Sequence, residues 1–86
     1  MIENVAKIPN LGPKSAQMLA AANITNEEQV RELGPVLTYL AVRQAGQNPS
    51  LNLLWAIAAG LQNRHWTDLS ASEKDQMREQ LRQLTR

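Results

Sequence analysis

The residues best placed to do chemistry are Ile8-Pro9-Asn10-Leu11-Gly12-Pro13-Lys14-Ser15-Ala16. An apolar residue leads into a tight turn, and Gly12 is expected to take the positive φ that a side chain would resist. Pro13 then stands where a helix begins, at a position whose N–H needs no helical partner. Ala16, Leu19 and Ala20 follow at helical spacing and give a small-residue face for close packing. The first N–H groups of such a helix lack internal acceptors and lie at the positive end of its dipole. The joint therefore presents an anion site. Lys14 would add a point charge and Ser15 a hydroxyl donor. Asn10, Leu11, Gly12, Lys14 and Ser15 form the candidate nucleic-acid- or anion-binding set. Phosphate contacts of this kind position a protein on DNA without reading bases. On this reading Gly12→Val distorts the turn, and Lys14→Glu removes attraction for phosphate at little cost to folding. The alternative is a turn that only connects two packed helices.

The elements that must hold this joint read as helices. The lead-in, Met1 to Lys7, has room for one turn. The first helix is predicted from about Pro13 to Ala22, with Asn23 as a left-handed terminator and Ile24 returning to the core. The next start is a capping box, formed either by Thr25 with Glu28 or by Asn26 with Gln29. Val30 and Leu33 then point inward, and the helix stops at Gly34. Pro35 opens a third helix whose buried stripe is expected to be Val36, Leu37, Leu40 and Ala41, ending at Gly46. Gln47-Asn48-Pro49 is a turn, and Ser50 is a good cap after it. It resembles a degenerate second hairpin without the glycine pair, so no phosphate site is assigned there.

Leu51 to about Leu61 is apolar on two sides and is predicted to be the central helix. Leu51, Leu54, Trp55, Ala58 and Leu61 line one face, and Leu53 and Ile57 another. Asn52 either faces outward in the first turn or satisfies the backbone of a neighbouring loop, and Ala59-Gly60 marks a close helix crossing. His65 reads as a surface or capping residue, and Trp66 and Leu69 as plugs at one end of the core. Ser70-Ala71-Ser72-Glu73 is a second capping box, followed by a last helix with Met77, Leu81 and Leu84 inward. Lys74, Arg78, Arg82 and Arg86 recur every fourth residue as a basic ridge that could meet DNA phosphates or an acidic partner; Asp75 and Glu79 partly neutralise it, which favours a plain solvated face. Strand signals are absent. The fold class is all-α, with about five short helices.

Composition narrows the function. The chain has 86 residues, enough for one small domain, and no cysteine, so disulfides and thiolate metal sites are excluded. One histidine builds no zinc site alone, and no cofactor is expected. Neither a signal peptide nor a membrane span is legible, which points to a soluble, cytoplasmic protein. Net charge is +1. Lys7, Lys14, Arg31 and Arg43 in the first half are matched by Glu3, Glu27, Glu28 and Glu32. That balance argues against strong independent DNA binding, which needs many basic contacts. No Ser/His/acid set, catalytic carboxylate pair or metal spacing points to an enzyme.

The joint resembles the helix-hairpin-helix motif, apolar-Pro-Gly-apolar-Gly-Pro-Lys-Ser/Thr-Ala, with Asn10 in place of the first glycine. Asn also tolerates left-handed angles. Together, Ile8 to Ser15, Ala22-Asn23-Ile24-Thr25, Arg31-Glu32-Leu33-Gly34, Ser50-Leu51-Asn52-Leu53-Leu54-Trp55-Ala56 and His65-Trp66 resemble the carboxy-terminal domain of the TfoX/Sxy family in order and spacing. The Ser-Leu-Asn-Leu-Leu-Trp run is the most specific part. The joint is also similar to that of the RNA polymerase α-subunit carboxy-terminal domain, where it lies on the DNA-contacting surface. The resemblance implies one helical domain over 1–86, a hairpin at about 8–33, and regulation of natural competence genes. It also implies partners: the cyclic-AMP receptor protein, RNA polymerase, or duplex DNA through its phosphates. Family members commonly carry a separate amino-terminal domain, which this sequence lacks, so it reads as a stand-alone relative or a fragment. Two functions follow: a non-catalytic regulatory interaction module, or an autonomous, sequence-independent duplex binder.

Overall fold

The computed structural model describes residues 8–85. The lead-in before Ile8, and with it any helix preceding the joint, lies outside the described residues, as does Arg86. The described residues are all-helical: α1 (Pro13–Ala21), α2 (Glu27–Gln44), α3 (Leu51–Leu61), a 3₁₀ turn (Trp66–Asp68) and α4 (Ala71–Leu84). α2 is broken at Gly34, with φ 79° and ψ 169°, directly before Pro35. Its halves are the second and third helices expected from sequence, so about five helical segments result.

The helix ends follow local chemistry. Asn26 and Gln29 form the box that starts α2, the second of the two sequence alternatives, and Ser70 with Glu73 starts α4. Asn23, Gly46 and Asn63 have φ of 64°, 91° and 57° and follow α1, α2 and α3. Each reverses the chain so that two amides close on the last turn. Asn23 N–H donates to Ala20 and Ile24 N–H to Leu19, and the pairs Gly46/Gln47 and Asn63/Arg64 repeat the pattern. This is the Schellman arrangement, which satisfies carbonyls that the helix leaves open.

α3 is the centre: Leu53 through Gly60 are all buried. α2 packs on it, and α1 and α4 pack on α2. The break at Gly34 shifts which side chains of α2 face α3. Val30 is buried before it, and Val36, Tyr39 and Val42 after it. Leu33 (38% exposed) and Leu37 (46%) therefore face outward, correcting the predicted stripe, while Leu40 and Ala41 are half-buried. Leu51 and Leu84 are exposed as well, at the two helix ends where the core has run out, and Met77 and Leu81 carry the packing of α4. Trp66 (38% exposed) does not plug the core, although Leu69 does.

Three features fix the joint and the two loops at the ends of α3. Gly60 is the first. A β-carbon built there would collide with the Pro9 carbonyl oxygen and come within 2.6 Å of Ile8 Cγ2. The close approach that Ala59-Gly60 suggested is thus to the turn and not to a helix. The second is a buried bond from the Tyr39 hydroxyl to the Pro49 carbonyl (3.1 Å), which fixes the loop entering α3. The third is Arg64. It donates to Glu73 (2.8 and 3.2 Å) and to the Asp68 carbonyl, so the loop after α3 is closed over the start of α4.

Two outcomes follow. The Thr38 hydroxyl is fully buried without a hydrogen-bond partner among the described residues. An unpaired buried hydroxyl is costly, so Thr38→Val is expected to raise stability by about 1 kcal/mol in denaturant unfolding. Glu73 is lowered from 4.5 to about 2, first by the Arg64 hydrogen bond and then by the Ser70 amide. Its folded-state value is depressed, so its contribution is complete above the ordinary value and is lost as pH falls through that window. Glu73→Gln keeps a residue type suited to the capping box. The stability gap between wild type and this variant should shrink steadily as pH falls from 4.5 toward 2.

Candidate interaction site at the amino-terminal joint

The turn begins with Leu11 N–H donating to the Ile8 carbonyl at 3.1 Å. Asn10, not Gly12, takes the left-handed angle, with φ 74°. Gly12 is the cap residue of α1 with φ −101° and ψ −173°, an extended conformation open to any residue. A β-carbon on Gly12 would meet nothing within 4 Å. The expected distortion by Gly12→Val is therefore corrected: the strained position belongs to the asparagine that replaces the motif glycine.

The five candidate residues separate by role. Asn10 turns its side chain inward along the chain. Its Nδ2 donates to the Arg64 carbonyl (2.8 Å), and its Oδ1 accepts from the Trp66 amide (3.3 Å). One amide group thus pins the loop after α3 against the joint. Leu11 is buried in the core and anchors the turn from below. Gly12 and Ser15 are half-buried, and only Lys14 of the set is exposed. No side chain caps α1, and Pro13 has no N–H to give. The amides of Lys14 and Ser15 thus have no side-chain cap and lie at the positive end of the helix dipole.

A groove of about 400 Å³ lies beside them. Lys14, Ser15 and Met18 of α1 form one wall. Ser50, Asn52, Leu53 and Ala56 of α3 form the other, with Pro49, Asn10 and Trp66 closing the ends. The start of α3 also lacks a side-chain cap, because Ser50 makes no capping bond. Two open helix starts therefore border one groove. Sequence reasoning missed this convergence. Each start was legible locally, but nothing local says that Gly60 brings the turn onto the side of α3. Asn52 faces outward, the first of its two sequence alternatives, and forms part of the rim. Trp66 was assigned to the core and instead walls the groove.

The remaining candidate features have structural partners. Lys74 and Arg78 lie 5.7 and 5.5 Å from the centre of the Trp55 ring, Arg78 also pairs with Asp75, and Arg82 pairs with Glu79. The basic ridge on α4 is thus partnered over its described length. Arg31 pairs with Glu27 and donates to the Leu61 carbonyl, and Arg43 lies 6.0 Å from the Tyr39 ring. Among the described cations only Lys14 has neither a carboxylate nor a ring partner. His65 caps the 3₁₀ turn through Nδ1, which accepts from the Thr67 amide at 3.3 Å. Among the described residues no cluster of His, Cys, Asp and Glu could hold a metal ion, and no helix is long and apolar enough to cross a membrane.

Comparison with known proteins agrees with the resemblance read from the sequence. The chain is 27% identical over 85 residues to the DNA transformation protein TfoX of Haemophilus influenzae. The alignment covers 99% of this chain but 39% of that relative, so the chain spans well under half its length. No solved structure matches. The model of the TfoX C-terminal domain matches residues 1–81, and the chain belongs to that family.

Proposed function

We propose that this domain is a non-catalytic interaction module in the transcriptional control of DNA uptake, working in the cytoplasm. It would dock on a regulator such as the cyclic-AMP receptor protein, or on RNA polymerase, with DNA contacted in an assisted way. Family membership and the name of the Haemophilus relative support the link to DNA transformation. The observation that carries the choice of mechanism is the distribution of charge. Of the described cations, Lys14 alone is unpartnered, while Glu28 and Glu32 have no cation partner among the described residues. Duplex affinity grows with the number of phosphates neutralised. Among the described residues only one cation is without a carboxylate or ring partner, which favours assisted contact over independent binding.

The second reading is an autonomous, sequence-independent duplex binder. What favours it is the pair of open helix starts beside Lys14. Titrating labelled duplex at two salt concentrations separates the two. One phosphate contact corresponds to a slope of about −0.9 in log affinity against log salt. The module reading expects weak binding with a shallow slope of about that size, and a clear gain when the regulator or polymerase is added. Tight binding with a steep slope in the isolated domain, abolished by Lys14→Glu, would establish the second reading instead.

A further inference from the structure

The groove at the joint has a composition that narrows its occupant. Half-buried Met18 and exposed Trp66 supply accessible apolar surface, and the buried residues Pro49, Leu53 and Ala56 lie beneath it. Among the described residues Lys14 is the only charged one in the lining, on the α1 wall, and no carboxylate joins it there. The volume, about 400 Å³, lies at the low end of ligand pockets, which run to about 1,000 Å³. That is room for a side chain or two and not for a whole helix.

We infer that this groove receives an acidic, aliphatic segment of a partner protein, with a carboxylate at Lys14 and a large apolar side chain between Met18, Leu53 and Trp66. The inference rests on the module reading above and names the chemistry of its partner. Charge complementarity selects the acid, since the lone cation has no competing partner among the described residues. The apolar lining selects a protein segment over a nucleic-acid backbone. A phosphodiester brings charge without a hydrocarbon body, and would leave half-buried Met18 and exposed Trp66 facing water. An aliphatic side chain removes that surface from water, the usual source of affinity in peptide grooves. The groove is also pre-shaped. Asn10 fixes the Arg64–Trp66 backbone through two hydrogen bonds, and Tyr39 fixes Pro49. Little ordering is then needed on binding.

The test is selection of a random-peptide display library on the full chain, in parallel with the Lys14→Glu and Trp66→Ala variants. Both positions are exposed, and helical circular dichroism checks that each variant folds. The expected result is convergence on peptides with Asp or Glu close to Leu, Ile or an aromatic residue. Affinity of a selected peptide should fall on the order of tenfold with Lys14→Glu, equivalent to about 1.4 kcal/mol, and also fall with Trp66→Ala. An excess of short duplex DNA should not displace it. Four results would overturn the inference: no convergent sequence, convergence on basic peptides, binding unchanged in both variants, or displacement by duplex. If the library returns nothing while the duplex titration still shows partner-dependent recruitment, the acidic-segment inference fails and the module reading stands.

Discussion

A β-carbon at residue 60 would occupy the space held by the Pro9 carbonyl oxygen and crowd the Ile8 side chain. That single missing group lets the amino-terminal turn lie directly on α3. Ile8 and Leu11 are then buried, the start of α1 comes beside the start of α3, and the groove between them exists. A glycine inside a buried helix is otherwise unfavourable by about 1 kcal/mol relative to alanine. The cost is offset here by the apolar surface that the turn covers.

Asn10 completes what Gly60 permits. Its left-handed backbone makes the turn, and its side chain bonds to the Arg64 carbonyl and the Trp66 amide. The motif glycine it replaces could supply the first property and not the second. Arg64 in turn reaches Glu73 and the Asp68 carbonyl, so a continuous set of bonds runs from the first turn to the last helix. Elsewhere on the described surface most cations have a partner of their own. Arg31, Arg64, Arg78 and Arg82 have carboxylates, and Lys74 and Arg78 cover Trp55.

What could be read from the sequence was local. Gly-Pro at the starts of helices, Asn23 and Gly46 at their ends and the Ser70–Glu73 box depend on neighbours a few residues away, and each stands where the pattern put it. The double-sided apolar run of α3 marked the centre for the same reason. The errors share one cause. Leu33, Leu37 and Leu84 read as inward from their spacing, but spacing gives a face and not what covers it. The break at Gly34 shifts the face of α2, and the core ends before Leu84. Of the five residues singled out by the motif, Asn10, Lys14 and Ser15 line the groove, Asn10 also clamping the loop after α3, whereas Leu11 belongs to the core and Gly12 is the cap residue of α1. The far wall of the groove, with Ser50, Asn52 and Trp66, depends on contacts across more than 30 residues of chain that no local pattern encodes.

The dependence on residue 60 is open to direct measurement by denaturant unfolding of the Gly60→Ala variant. In a helix interior without a close neighbour this change would stabilise by roughly 1 kcal/mol. If the turn rests on the bare α-carbon, the sign reverses and the variant loses about 1–3 kcal/mol through overpacking. A variant as stable as wild type, or more stable, would contradict the close approach and with it the groove.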